Sequence, residues 1–564
     1  MPTIPIVTVL IIALFVAATV VVADQEFVVV QTENGPLRGV KRDHYYAFEG
    51  IPYARAPLGE LRWVPSEVND EQWHEPRNAT SSGPFCIQWN HFVEGNDKTI
   101  GEEDCLFLNV YTTSLDNSEP LPTIFHIHGG AFMFGSGIAF QERHLMKNQI
   151  ISVTINYRVG PFGFLSTEDD VIPGNYGLKD QVTALKWVRL NIAGFGGHPD
   201  SITLSGYSAG SASVQLHYLS LMSRGLFKNA IGHSGSALNP WVLVENSAEK
   251  ANKIAVAVGC PIESSKAILD CLKRKPAREI VKAVDPLFDF LYNPFSPLGV
   301  VIEKQSKNNP TPFLTDHPYT LIERGHFYKV PLILSLTEAE GLYSGAEFMS
   351  KPEYVKEINS NWNQLLPSIL DYRTSMGDDD ARRDQISQMI KKRYLGEGIF
   401  CEHNFRDFIM IMSNRLYFAG VIRSAQLMQA YIPVYIYYDM YKTKYGVGEL
   451  LSKSTKNYGV AHGEDIFLIY TTSRREAIPY TEEETLMAGR FVDMYEQFSR
   501  ESVAKFGDHE IPRMNRKDMV HFLEINYPTS EVKLSRQLSD EEFWNQIDFN
   551  DGMPVVDRPV SNEP

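Results

Sequence analysis

Ser208 lies at the centre of Gly206-Tyr207-Ser208-Ala209-Gly210, between the β-branched run Ser201-Ile202-Thr203-Leu204 and the helix-like run 211–216. Strand, sharp turn with a serine at its apex, then helix is the nucleophile-elbow pattern, in which flanking glycines let strand and helix approach closely. Chance alone puts G-x-S-x-G into a chain of this length about one time in five, so the remaining sequence must supply a base, an acid and an oxyanion site. A serine hydroxyl is a poor nucleophile near neutral pH and needs a base within hydrogen-bond reach, commonly a histidine oriented by a carboxylate. In the order nucleophile, acid, histidine, Glu340 is a candidate acid because it follows a predicted strand end, and His403, His462, His509 and His521 then remain downstream. His462 is set in Tyr458-Gly459-Val460-Ala461-His462-Gly463-Glu464-Asp465, where glycines free the backbone for a ring to project. Order and spacing alone do not choose among the four histidines. Upstream, His128-Gly129-Gly130-Ala131 closes an apolar run and has the form of a loop that donates backbone N–H groups to an oxyanion, with the N–H of Ala209 as a second wall. An ordinary glycine-rich turn is the other reading of that loop.

These residues need a frame. The runs 122–127 and 150–155 are apolar and β-branched, as buried parallel strands are, and 228–233, 330–334 and 432–438 repeat that character. Between them, 177–195, 247–258, 277–284 and 414–431 carry apolar residues at helical spacing, and 480–499 opens with Glu482, Glu483 and Glu484, which suit a helix N-terminus. Strands alternating with helices predict a mainly parallel sheet. Phe27 to Gln31 followed by Asn34-Gly35 predicts an opening hairpin, and the Pro- and Gly-rich stretch from Gly50 to Trp63 a surface loop. No repeat or low-complexity linker divides the chain, so one catalytic domain over 24–550 is expected.

The 564 residues carry a net charge of −16 and no basic stripe, which excludes a nucleic-acid partner. Ile4 to Val22 is apolar and ends in small residues, predicting a signal peptide over 1–23 and secretion, with a retained anchor as the alternative. The polar, Pro-containing tail 551–564 is expected to be flexible and carries no lipid-anchor signal, so no stable membrane anchor is expected. Four of five cysteines fall as two local pairs, Cys86 with Cys105 and Cys260 with Cys271, leaving Cys401 as a free, buried thiol. Asn78-Ala79-Thr80 is a glycosylation sequon. No Cys/His cluster has zinc spacing, so no metal is predicted.

Taken with Glu103-Asp104-Cys105-Leu106-Phe107-Leu108-Asn109-Val110-Tyr111, Asn156-Tyr157-Arg158-Val159-Gly160-Pro161-Phe162-Gly163-Phe164 and Glu340-Gly341, these motifs give a chain that resembles the type-B carboxylesterase and cholinesterase family over nearly all of its length beyond the leader, and most of all the secreted arthropod carboxylesterases. The resemblance implies an α/β-hydrolase fold, a large mostly parallel sheet flanked by helices with extra insertions. It implies a Ser208, Glu340 and His462 triad, oxyanion donors Gly129, Gly130 and Ala209, disulfides Cys86 to Cys105 and Cys260 to Cys271, and structural ion pairs Arg62 with Glu103 and Arg158 with Asp180. No cofactor is needed, and the partner is a small-molecule ester; nothing in the sequence specifies an oligomer. Ser234 to Trp241 matches the segment leading to an acyl-pocket aromatic, which makes Trp241 either a pocket wall or ordinary core. The tryptophan that cholinesterases place shortly before the second cysteine is missing, since Trp89 follows the first, and this argues against choline esters. Tyr207 differs from the glutamine usual in juvenile hormone esterases, which lowers that alternative. A narrow hormone or odorant esterase and a catalytically silent adhesion relative are the competing readings.

Overall fold

The computed structural model describes residues 26–138, 142, 144–444, 446–470, 479–516 and 518–555; the expected signal peptide and the tail beyond 555 lie outside these. Twelve strands form one sheet: β1 Phe27–Thr32, β2 Gly35–Arg42, β3 Tyr45–Pro52, β4 Phe107–Thr112, β5 Leu121–Ile127, β6 Ile151–Ile155, β7 Gly197–Tyr207, β8 Asn229–His233, β9 Leu332–Thr337, β10 Val434–Asp439, β11 Val520–Ile525 and β12 Glu531–Ser535. Their spatial order is β1-β2-β3-β4-β6-β5-β7-β8-β9-β10-β11-β12, and the two-residue strand Arg77–Asn78 joins β2 from the side. Every pairing from β6 across to β11 is parallel. Antiparallel hairpins and edges close both ends.

Burial on both faces explains the continuous apolar runs. On β9, Leu332 and Leu334 face one core layer and Ile333 the other, as a period of two requires. The second layer packs Ile124, Ile231, Ile333 and Tyr437 against Phe491, Tyr495 and Phe498 of the helix Glu482–Glu501. That helix opens with a capping box in which Thr481 Oγ1 accepts from the Glu484 N–H and the Glu484 carboxylate from the Thr481 N–H.

Three expectations need correction. The stretch Gly50 to Trp63 is not a simple surface loop: β3 runs to Pro52, Tyr53 is buried and donates to the Asn156 carbonyl, and Trp63 donates to the Pro161 carbonyl. Arg62, also buried, joins Glu103 to carbonyls of Leu272 and Lys275, so this stretch fastens the Cys86–Cys105 loop to the chain just beyond Cys271. The helix expected from 414 starts earlier, as Phe405–Ser413, passes through a π turn at Asn414–Phe418 and ends as Ala419–Met428. Cys401 is free but half-buried, not buried. Both disulfides form, Cys86–Cys105 and Cys260–Cys271, and Arg158 meets Asp180 through two bonds of 2.7 Å.

Candidate active site

Ser208 follows directly on the carboxyl end of β7, where the sheet register sets Tyr207 beside His233 and His233 beside Ser335. Its φ of 57° and ψ of −123° are strained for a residue with a side chain, and the turn is held by its N–H donating to the His233 carbonyl at 2.8 Å. A Cβ at Gly210 would overlap the Ile127 carbonyl, which is why the helix Ala209–Leu219 can start against β5 only with glycine there. Ala209 therefore occupies the first helical position, where a backbone N–H has no partner within the helix and the dipole favours negative charge.

Beyond β5 the chain turns sharply at Gly130, whose φ of +111° and contact with the Phe134 carbonyl exclude a side chain. Gly129 lies against the nucleophile candidate, since a Cβ there would stand 3.0 Å from that of Ser208. Among the described residues no hydrogen bond uses the N–H of Gly129 or Gly130. Behind them His128 stacks on Tyr157 at 4.2 Å and donates through Nδ1 to the Gly129 carbonyl; burial pushes its imidazole down to about 4.

Glu340 follows β9 and is fully buried. Its Oε1 accepts from Ser234 Oγ at 2.6 Å and from the Thr337 N–H at 2.7 Å, and its Oε2 meets His462 Nδ1 at 2.6 Å. The loops carrying the two residues are joined by the Ala339 N–H donating to the Val460 carbonyl. Tyr417 lies 4.6 Å, Tyr343 5.6 Å and Tyr207 6.1 Å from His462 between ring centroids. Neither Ser208 Oγ nor His462 Nε2 bonds to another described residue. The chemistry this assembly permits is proton abstraction from a strained serine beside N–H groups open to an anion.

The pattern that defines the Carboxylesterase family covers residues 26–544. The chain belongs to the carboxylesterase family. As such it is a serine ester hydrolase of the α/β-hydrolase fold, acting on small-molecule carboxylic esters. The esterase is 38% identical to Venom carboxylesterase-6 of Apis mellifera, over 94% of this chain and 96% of that one. It is 37% identical to Esterase P of Drosophila melanogaster, over 84% and 88% of the two chains. Juvenile hormone esterase from Manduca sexta, solved with OTFP covalently attached, superposes with a TM-score of 0.79 at 27% identity, covering 92% of this chain and 98% of that one.

Sequence reasoning did not single out Ser234, Tyr343 or Tyr417. Ser234 was visible only as part of the segment leading to Trp241, and its partner is 106 residues away. Trp241 itself is 1% exposed, donates to the Leu416 carbonyl at 2.7 Å, and packs near Phe132, Phe295 and Tyr417. It thus backs the π turn that presses Tyr417 on His462. Of the remaining named residues, Asn78 is exposed and accepts from the Arg38 guanidinium.

Proposed function

We propose that this esterase is a secreted carboxylesterase working through an acyl-enzyme, with Ser208 as nucleophile, His462 as general base and then acid, and Glu340 as the orienting acid. The observation that carries the reading is the 2.6 Å pair between His462 and a fully buried Glu340, next to the serine held at φ 57°. Ser208 Oγ attacks the ester carbonyl carbon while His462 Nε2 takes its proton; the carboxylate of Glu340 stabilises the imidazolium. The N–H groups of Gly129, Gly130 and Ala209 hold the oxyanion, and its collapse expels an alcohol that takes the proton back from His462. Water then attacks the acyl group, again delivering its proton to His462, and the acid leaves. Trp241, with Phe132 and Phe295, makes the acyl-side wall.

Residues 24–550 act as one catalytic domain, preceded by a cleaved leader. Secretion is supported by two disulfides and by the name of the venom relative. No helix among the described residues is long and apolar enough to cross a membrane. Asn78 is the glycan acceptor, being exposed within its sequon.

A fluorophosphonate should attach once per molecule, at Ser208, and abolish hydrolysis of p-nitrophenyl acetate; Ser208→Ala should take no label and lose about 10⁶ in kcat. Peptide mass mapping that finds the adduct on another residue, or turnover retained by the alanine variant, overturns the assignment.

A further inference from the structure

The disulfide loop 86–105 reaches the active centre at its tip. Gln88 fastens that loop to the oxyanion turn by a reciprocal pair, its Nε2 donating to the Gly135 carbonyl and its Oε1 accepting from the Gly135 N–H. Three residues on, His91 packs face to face with Tyr292, ring centroids 4.0 Å apart, and edge-on to Phe134 and Tyr343 at 5.0 and 6.0 Å. Tyr292 and Tyr343 are 6.5 Å apart, and Tyr343 reaches the His462 ring. Within this aromatic group His91 Nε2 and Tyr343 Oη are buried without a hydrogen-bond partner, and Tyr292 Oη has only a long contact with the Glu347 carboxylate. Leaving one such atom unpaired costs about 1–3 kcal/mol, so unpaired atoms on neighbouring rings beside the His462 ring call for an occupant that pairs them. Burial, helped by the charge of Lys98, pushes the His91 imidazole down to about 3, so it faces that occupant neutral. Burial above all, and the charge of Glu347, keep both tyrosines protonated, and the Glu347 carboxylate also interacts with the Tyr292 hydroxyl.

We infer that His91, Tyr292 and Tyr343 form a specificity subsite that hydrogen-bonds a neutral oxygen function, a hydroxyl in the first instance, on the non-scissile part of the ester. The inference rests on the Ser208 reading of the active centre. A pocket that offers buried polar atoms to a substrate hydroxyl discriminates against the hydrocarbon isostere, which leaves those atoms unpaired.

The test compares kcat/KM within two isosteric pairs, 3-hydroxypropyl acetate against butyl acetate and ethyl 3-hydroxypropanoate against ethyl butanoate, for the wild type, His91→Phe and Tyr343→Phe. In one pair, which identifies the side of the ester that enters, the hydroxyl-to-hydrocarbon ratio should fall about tenfold in each variant, the worth of one hydrogen bond. Because only the ratio within one preparation is read, partial misfolding does not imitate the result, and Tyr343→Phe keeps the ring. Ratios unchanged in both variants for both pairs overturn the subsite and mean that water alone fills it. Ser208→Ala, run beside them, separates the two claims: loss of all four activities with unchanged ratios in the variants sinks the subsite only, whereas retained activity in Ser208→Ala sinks the reading beneath it.

Discussion

Two histidine–carboxylate pairs lie at the carboxyl ends of adjacent strands, and only one leaves a ring nitrogen without a hydrogen-bond partner among the described residues. His462 Nδ1 meets Glu340 at 2.6 Å; His233 Nδ1 meets Asp465 at 2.8 Å, and all four side chains are buried. The pairs differ at the second nitrogen. His233 Nε2 is taken by Tyr495 Oη at 2.6 Å, and Asp465 also accepts from Ser335 and Tyr437. Burial alone would raise the Asp465 carboxyl, but the attraction of His233 and these bonds outweigh it and hold it below the usual range. His462 Nε2 has no such partner among the described residues, and its ring is gripped by tyrosines only at its faces and edges. A carboxylate orients each ring; the nitrogen left unspent is what suits His462 to the role of base proposed for it. The saturated pair serves instead as a rivet beneath the elbow, since the His233 carbonyl fixes the Ser208 N–H.

Substitution should separate the two. His462→Ala is expected to cost about 10⁶ in kcat per folded molecule, whereas His233→Ala should act through stability, at about 3–5 kcal/mol, because it strands a buried carboxylate; His462→Ala strands Glu340 in the same way, so activity per folded molecule is what separates the two. Steady-state kinetics and denaturant titration on both proteins check this; equal losses of activity per folded molecule would erase the distinction. A second buried carboxyl, Glu142, is lifted by burial to about 8, with the Ser152 hydroxyl drawing it down and the charge of Glu49 pushing it up. Its folded pKa lies above its ordinary value of 4.5, so the folded state keeps a proton that the unfolded state has lost, and stability falls as pH rises from about 5 to 8. Glu142→Gln should remove that slope, gaining on the order of 4 kcal/mol at the alkaline end relative to wild type, read from urea midpoints across the range. The smallest expected effect is at Ser234, on the catalytic side. Ser234→Ala removes one of the bonds to Glu340 and should lower kcat about tenfold or somewhat more with KM held, as loss of a hydrogen bond to a charged group would. A change confined to KM would place Ser234 in substrate binding instead.

Much of the site was legible because its parts are local. The elbow and the Gly129-Gly130 turn each announce themselves within about five residues, since each depends on backbone that only small residues permit, whereas His462 stood among four histidines until the family resemblance singled it out. The strand runs were legible for a similar reason, burial on both faces demanding unbroken apolar sequence. What could not be read were pairings across long separations. Ser234 and Glu340, and His233 and Asp465, stand 106 and 232 residues apart and meet only because parallel strands end side by side. Tyr53 and Trp63 looked like loop residues because Pro and Gly surround them, yet their polar tips find carbonyls in the core. The strands β11 and β12 lie at the far edge, where alternating polar residues weaken the signal.

The π turn Asn414–Phe418 holds one residue more than a regular helical turn would. It works as a spacer of fixed thickness: Phe405–Ser413 and Ala419–Met428 are packed on either side, and the surplus residue is what turns Tyr417 toward His462 while Trp241 secures the carbonyl before it. Trimming a single residue would let the helix close up regularly and swing one half by about 100° against the other. The place of Tyr417 against His462 is thus tied to chain length at one point, and insertion or deletion there would displace it more abruptly than any exchange of side chains.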